Sequence, residues 1–285
     1  TLSGRTALPR WLALAHGAGY DLIIRNARVL DGAGNPWTRA DVAIAGGRIA
    51  AIGNLGSATA AETVDARGLT LAPGFIDIHS HGRGGILSVP SAENYIRQGV
   101  TTILEGPDGS SPLPLRPYLD KLSASRFAVN IGFLAGHGSI RAQVMRSENR
   151  HSTPAELAKM KDLMRQAMLD GAFGLSTGLF YVPGNYAATE EVVEIAKVAG
   201  SMGGIHISHM RDEAAGILAS VRETIRIGEE GGLPTQLTHH KIIGIANWGK
   251  SAETLRLVDE ARRRGVDATI DQYPYTASST GTGAM

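Results

Sequence analysis

Pro73-Gly74-Phe75-Ile76-Asp77-Ile78-His79-Ser80-His81 is the stretch on which the fold turns. Residues 69–78 form an apolar run of β type, with Gly74 following Pro73 as in a turn, and the run closes on two histidines two residues apart. Side chains at i and i+2 of a strand point the same way, so His79 and His81 share a face. Two imidazoles projecting together from the C-terminal end of a buried strand can hold one divalent ion, and imidazole is the usual nitrogen donor for zinc. An isolated His-x-His also describes ordinary surface pairs. Here histidines recur at later strand ends, which turns the reading toward a metal site.

Working outward, the chain after residue 71 alternates strand and helix. Strands are predicted at 71–78, 101–105, 127–135, 173–176, 204–209, 235–239 and 267–273, and amphipathic helices at 154–170, 189–199, 213–228 and 251–264. Ser152-Thr153-Pro154 with Glu156, and Thr189 before acidic residues, are helix-start signals. This is an α/β pattern, read as a (β/α)8 TIM-type barrel with seven strands visible and an eighth expected beyond Met285. Ahead of it, short β runs at 20–29, 41–44 and 48–52, separated by Asp31-Gly32 and Gly46-Gly47, predict a small antiparallel, β-sandwich-like unit. The expected organisation is therefore a leader or disordered end over 1–19, a β domain over 20–70, and a C-terminally incomplete barrel over 71–285.

The 285 residues carry 28 Lys and Arg against 27 Asp and Glu, a balance that points to neither a nucleic-acid nor an anionic-membrane partner. There is no cysteine, so disulfides and thiolate metal sites are excluded and histidine and carboxylate must do any metal binding. The apolar Leu12-Ala13-Leu14-Ala15 is too short to span a bilayer, and the sequence does not choose between cytoplasm and periplasm or secretion.

In such a barrel the catalytic groups sit at the C-terminal ends of strands. The second strand ends in Glu105, and a carboxylate closing a hydrophobic strand is costly unless paired or metal-bound, which makes Glu105 a candidate ligand. His206 and His209 are three apart and face opposite ways, so only one faces the site; His239 and His240 divide likewise, and Lys241 shares a face with His239. His137, in a Gly-rich loop after the third strand, either orients a ligand from the outer shell or is structural. Tyr181 and Tyr186 flank Pro183-Gly184 and form either a pocket wall or core. Arg211 and Asp212 are expected to pair with each other, and His16 and His151 receive no role.

Residues 73–81 together with Gly136-His137-Gly138-Ser139-Ile140-Arg141, Gly174-Leu175-Ser176-Thr177-Gly178-Leu179, His209-Met210-Arg211-Asp212-Glu213, His239-His240-Lys241 and Tyr273-Pro274-Tyr275 resemble the amidohydrolase superfamily, and within it the D-aminoacylases. The resemblance implies zinc-dependent hydrolysis of N-acyl-D-amino acids, small-molecule substrates, to a carboxylate and a free D-amino acid. It implies His209 and His239 as ligands, Lys241 and Tyr273 on the substrate carboxylate, and a catalytic aspartate beyond Met285. Many relatives have a bridging cysteine after the second strand and others a carboxylated lysine on the fourth. Neither is present here, which leaves Glu105 as the expected bridge. Glu105 with His209 and His239 is expected to form the tight zinc site, since these come from separate strands; a second, weaker site would use His79 and His81. The rival readings are a cyclic-amide hydrolase of dihydroorotase or hydantoinase type, and a non-catalytic metal-binding relative.

Overall fold

The computed structural model describes residues 19–281 and divides into two compact units after Gly74. The expected leader, apart from Gly19, and His16 lie outside the described residues.

The first unit is a single five-stranded sheet built from β1 (Tyr20–Val29), β2 (Thr38–Ala45), β3 (Arg48–Gly53), β4 (Ala60–Asp65) and β5 (Thr70–Leu71). Its order is β3-β2-β1-β4, with β5 also on β1. The β2–β3 hairpin closes on Gly46 and Gly47, at φ +57° and +71°, the left-handed pair that a two-residue hairpin turn requires. The sheet is mixed rather than antiparallel as expected. After β3 the chain crosses back to the free edge of β1, and β4 and β5 both run parallel to it. Ile23, Ala27, Val42 and Ala43 are the buried apolar residues of this sheet's first two strands.

In the second unit the elements are β6 (Phe75–Asp77), α1 (Glu93–Ile96), β7 (Val100–Glu105), α2 (Arg116–Ser123), β8 (Asn130–Phe133), β9 (Ala135–Gly136), α3 (His137–Met145), α4 (Pro154–Asp170), β10 (Gly174–Gly178), α5 (Thr189–Ser201), β11 (Ile205–His209), α6 (Ile217–Gly231), β12 (Thr235–Leu237), α7 (Ser251–Arg263) and β13 (Ala268–Ile270). Every pairing is parallel, in the ladders β6-β7-β8 and β9-β10-β11-β12-β13. β8 and β9 are one expected strand interrupted at Leu134, whose N–H bonds the carbonyl of Glu105 at 2.8 Å and so keeps the strand order continuous. The expected strand at 71–78 splits in two: β5 belongs to the first sheet and β6 to the second.

Helix α4 starts where its cap signals predict. Thr153 Oγ1 accepts the Glu156 N–H and the Glu156 carboxylate accepts the Thr153 N–H at 2.8 Å, a reciprocal cap followed by Pro154. Helix α6 begins at Ile217 rather than 213, because the Asp212 carboxylate takes the N–H groups of Ala214 (2.6 Å) and Gly216 (3.0 Å) and holds 212–216 as a turn. Val192, Ile195 and Ala199 of α5 and Ile227 of α6 are buried in the core, as is Leu175 of β10.

Six spacings of about 4.8 Å would set the outer two of seven strands roughly 29 Å apart in a flat sheet. Instead His79, just after β6, and Asp271, just after β13, approach to 3.4 Å. The sheet is thus strongly curled, and its C-terminal strand ends converge. Among the described residues no helix is long and apolar enough to cross a membrane.

Candidate metal centre

The convergence of strand ends gathers four imidazoles around one carboxylate. His79 and His81 follow β6, His209 ends β11 and His239 follows β12. The carboxylate is Asp108. Its Oδ1 lies 3.4 Å from His79 Nε2, 3.8 Å from His209 Nδ1 and 3.9 Å from His239 Nε2, while its Oδ2 lies 3.2 Å from His81 Nε2. Two overlapping groups result, His79–His81–Asp108 and Asp108–His209–His239, with the ligand atoms of each within 4.8 Å of one another. Asp108 is common to both.

Glu105, the expected bridge, is corrected by this geometry. It is buried, but its Oε1 accepts the Ser80 hydroxyl at 2.6 Å and the Gly82 N–H at 2.7 Å, outside both groups. The chain leaves β7 through Gly106 at φ +82°, where a Cβ would lie 2.5 Å from the Leu134 carbonyl. Pro107 then leads to Asp108, which is itself left-handed at φ +54° and turns its carboxylate into the cluster. His239 is also left-handed, at φ +37°. Such backbone costs on the order of 1–3 kcal/mol in a non-glycine residue and concentrates at functional sites.

Of the alternatives left open by strand alternation, His209 and His239 face the cluster. His206 is enclosed within the sheet, bonded to Thr177 Oγ1 at 3.0 Å and Thr235 Oγ1 at 2.8 Å, and burial lowers its pKa to about 3. His240 turns away to Thr254 at 2.9 Å. His137 is buried at the start of α3 against Glu191 (3.0 Å), which also pairs with Arg141; this is a structural arrangement rather than support for a ligand. Arg211 and Asp212 do not pair with each other, since Arg211 bonds Glu223 at 2.8 Å and Asp212 holds its turn. His151 is exposed and Tyr186 half-buried, both away from the cluster.

Beside the imidazoles opens a cavity of about 1020 Å³ whose walls include Phe180, Tyr181, Glu213, Lys241, Tyr273 and Tyr275. The Tyr181 ring centre lies 4.6 Å from that of His209. Lys241 Nζ stands 5.6 Å from the Tyr273 ring centre and already has a carboxylate partner, Glu213, at 2.6 Å. Glu213 also reaches His239 Nδ1 at 2.9 Å. Sequence reasoning missed Glu213 by assigning it to the first turn of α6, and missed Asp108 because it lies beyond the strand end. Its place after Gly106-Pro107 marks a sharp turn at the head of the sheet, the signal that was available.

The electrostatics suit a cation. Burial opposes ionisation of Asp108, yet the neighbouring His79 and His81 imidazoles outweigh it and hold the carboxyl well below its usual range. Burial likewise opposes charge on His79, but Asp108 and Asp271 raise its pKa to about 10. His209 is lowered to about 4 by burial and then by His239. Among the described residues Asp108 Oδ1 is buried without a well-formed hydrogen bond. A carboxylate oxygen so placed among imidazoles fits a divalent ion, for which His79 would have to be neutral.

Curled parallel strands thus bring a nitrogen-and-oxygen donor set together at their C-terminal ends, an arrangement suited to a divalent metal ion. The chain belongs to the amidohydrolase family, whose family model matches residues 62–280. It is 41% identical over 284 residues to a D-aminoacylase of Alcaligenes xylosoxydans xylosoxydans, and 40% identical over 282 residues to an N-acyl-D-glutamate deacylase of the same organism. These alignments cover 92% and 91% of this chain and 58% of each relative, so the chain spans little more than half their length. The crystal structure of an N-acyl-D-glutamate deacylase from Bordetella bronchiseptica, complexed with zinc and a phosphonate mimic of the tetrahedral intermediate, superposes with a TM-score of 0.86 at 38% identity, covering 90% of this chain and 59% of that one.

Proposed function

We propose that this protein hydrolyses the amide bond of N-acyl-D-amino acids, giving a carboxylate and a free D-amino acid, with zinc held by His79, His81, Asp108, His209 and His239. The observation that carries the reading is Asp108, a buried carboxylate facing four imidazoles beside a cavity that also contains a lysine. The relatives' names supply the substrate class. When bound, zinc supplies a Lewis acid that polarises a carbonyl and lowers the pKa of water toward about 7. The chain's own residues bind and orient. Asp108, common to both donor groups, would serve two metal positions, of which the one with His209 and His239, whose ligands come from separate strands, would be the tighter. Glu213 steadies Lys241, whose ammonium reads the substrate α-carboxylate as a point charge. Tyr273 forms the wall beside it, and Tyr181 covers His209. In the same reading the curled sheet is part of a (β/α)8 barrel over 71–285 and the first sheet is one layer of a small β-sandwich over 20–70.

The test is a hydrolysis screen of the zinc-loaded protein, expressed from its whole reading frame, on matched D and L N-acyl-amino acids, with hydantoin and dihydroorotate alongside. Cleavage confined to the D series is expected. Cleavage of the cyclic amides in preference to every acyclic N-acyl-D-amino acid would overturn the assignment.

A further inference from the structure

Glu105 is fully buried, carries no cation partner among the described residues, and is used by none of the chemistry above. Its surroundings form a directed series of hydrogen bonds. The Tyr95 hydroxyl lies 2.7 Å from Ser80 Oγ, the Ser80 hydroxyl donates to Glu105 Oε1 at 2.6 Å, and the Gly82 N–H donates to the same oxygen at 2.7 Å. With the Ser80 proton committed to Glu105, the Tyr95 hydroxyl is the donor of the first bond. Ser80 stands between His79 and His81, and Gly82 follows directly. A single carboxylate oxygen therefore holds the loop at two points that bracket His81. The fit is close: a Cβ on Gly82 would lie 2.9 Å from the Tyr95 hydroxyl oxygen and 3.0 Å from Glu105 Oε1.

We infer that Glu105 is a positioning residue for the two-histidine loop, acting through Ser80 and the Gly82 N–H to present His79 and His81 to a metal ion. The inference rests on the metal reading of those histidines. Two ligands on one short loop share its backbone freedom, unlike His209 and His239, which arrive from separate strands. An anchor in the strand below removes that freedom before the ion arrives. Buried groups that orient ligands in this way are worth about 10–100-fold in metal affinity. The role asks for an acceptor oxygen, not for a charge on the ion, so glutamine can fill it and alanine cannot.

The experiment is titration of the metal-free protein with zinc chloride against a chromophoric chelator, resolving two affinities, with wild type, Glu105→Ala, Glu105→Gln, His81→Ala and the Glu105→Ala, His81→Ala double variant. Glu105→Ala should weaken one of the two affinities about 10–100-fold and leave the other unchanged, and Glu105→Gln should restore most of the loss. In the His81→Ala background the alanine substitution should have no further effect, which places the coupling in this loop. Equal losses at both positions, no rescue by glutamine, or an additive effect in the double variant would overturn the inference. Wild-type protein that takes up no zinc would overturn the metal reading together with it. Wild-type protein that binds zinc no better than Glu105→Ala would overturn the positioning role alone.

Discussion

Asp108 sits on left-handed backbone and puts one carboxylate into reach of all four imidazoles, so its charge serves both halves of the centre. Asp108→Asn preserves the shape but removes the negative charge that offsets a divalent ion. Zinc affinity should fall at both positions by more than ~100-fold, the upper end of what outer-shell partners contribute, as read by chelator competition. Retention of one unaltered site would refute the shared role. Lys241 has a different kind of role in the proposed reading, a contact to substrate. Lys241→Met removes a charge-assisted hydrogen bond of about 1.5–3 kcal/mol, so kcat/KM for N-acyl-D-amino acids should fall roughly ten- to hundredfold with zinc content intact. Equal losses on substrates whose carboxylate is amidated would show that the lysine does something else. The four histidines were legible in the sequence because strand ends are marked by apolar runs and the family motifs choose between adjacent candidates. Asp108 and Glu213 were not, since both lie on turns whose side-chain directions follow no strand or helix period.

Helices α3 and α5 are joined by a buried polar cluster in which Glu191 accepts from both His137 and Arg141. Burial works against the charge on Glu191, yet His137 and Arg141 outweigh it and bring its pKa to about 2, from an ordinary 4.5. A folded-state pKa below the unfolded one stabilises the protein fully above the unfolded value. That contribution is lost as pH falls from about 4.5 through about 2. Glu191→Gln leaves the Arg141 guanidinium, wholly enclosed, without a counter-charge and should cost about 3 kcal/mol at neutral pH. Denaturant unfolding at pH 7 and pH 3 should show the wild-type–variant gap narrowing at the lower pH; an unchanged gap would mean the pair contributes by packing alone. At this scale the long helices were legible from caps and periodicity, α4 above all. Strand extents were not. Three-residue strands such as β12 and β13 owe their limits to neighbours far along the chain, and the split of 71–78 between two sheets depends on pairing with β1, which no local pattern encodes.

Across the second unit, the order of seven parallel strands was legible from the alternation of strand and helix, whereas the closeness of the first and last strand ends was not, because curl accumulates from small twists between neighbours. Asp271 is where that closeness becomes chemistry. Its carboxylate accepts the His239 N–H and the Gln236 side-chain amide, and lies 3.4 Å from His79 Nδ1. One side chain thus supports the left-handed backbone of His239, after the sixth strand, and sets the ring of His79, after the first, leaving His79 Nε2 directed at Asp108. Carboxylates that hold the outer nitrogen of a ligating histidine contribute about 10–100-fold to metal affinity. Asp271→Ala should accordingly weaken both zinc affinities by that factor, in contrast to Glu105→Ala, which weakens one. It should also lower stability by about 1–3 kcal/mol, the cost of leaving the His239 N–H and its neighbours without an acceptor, seen as a reduced midpoint in denaturant unfolding. Asp271→Asn, which keeps an acceptor oxygen, should recover most of the stability and part of the affinity. If Asp271→Ala altered only the affinity of the His79–His81 position, the two strand ends would be neighbours without being coupled, and the curl of the sheet would serve packing alone.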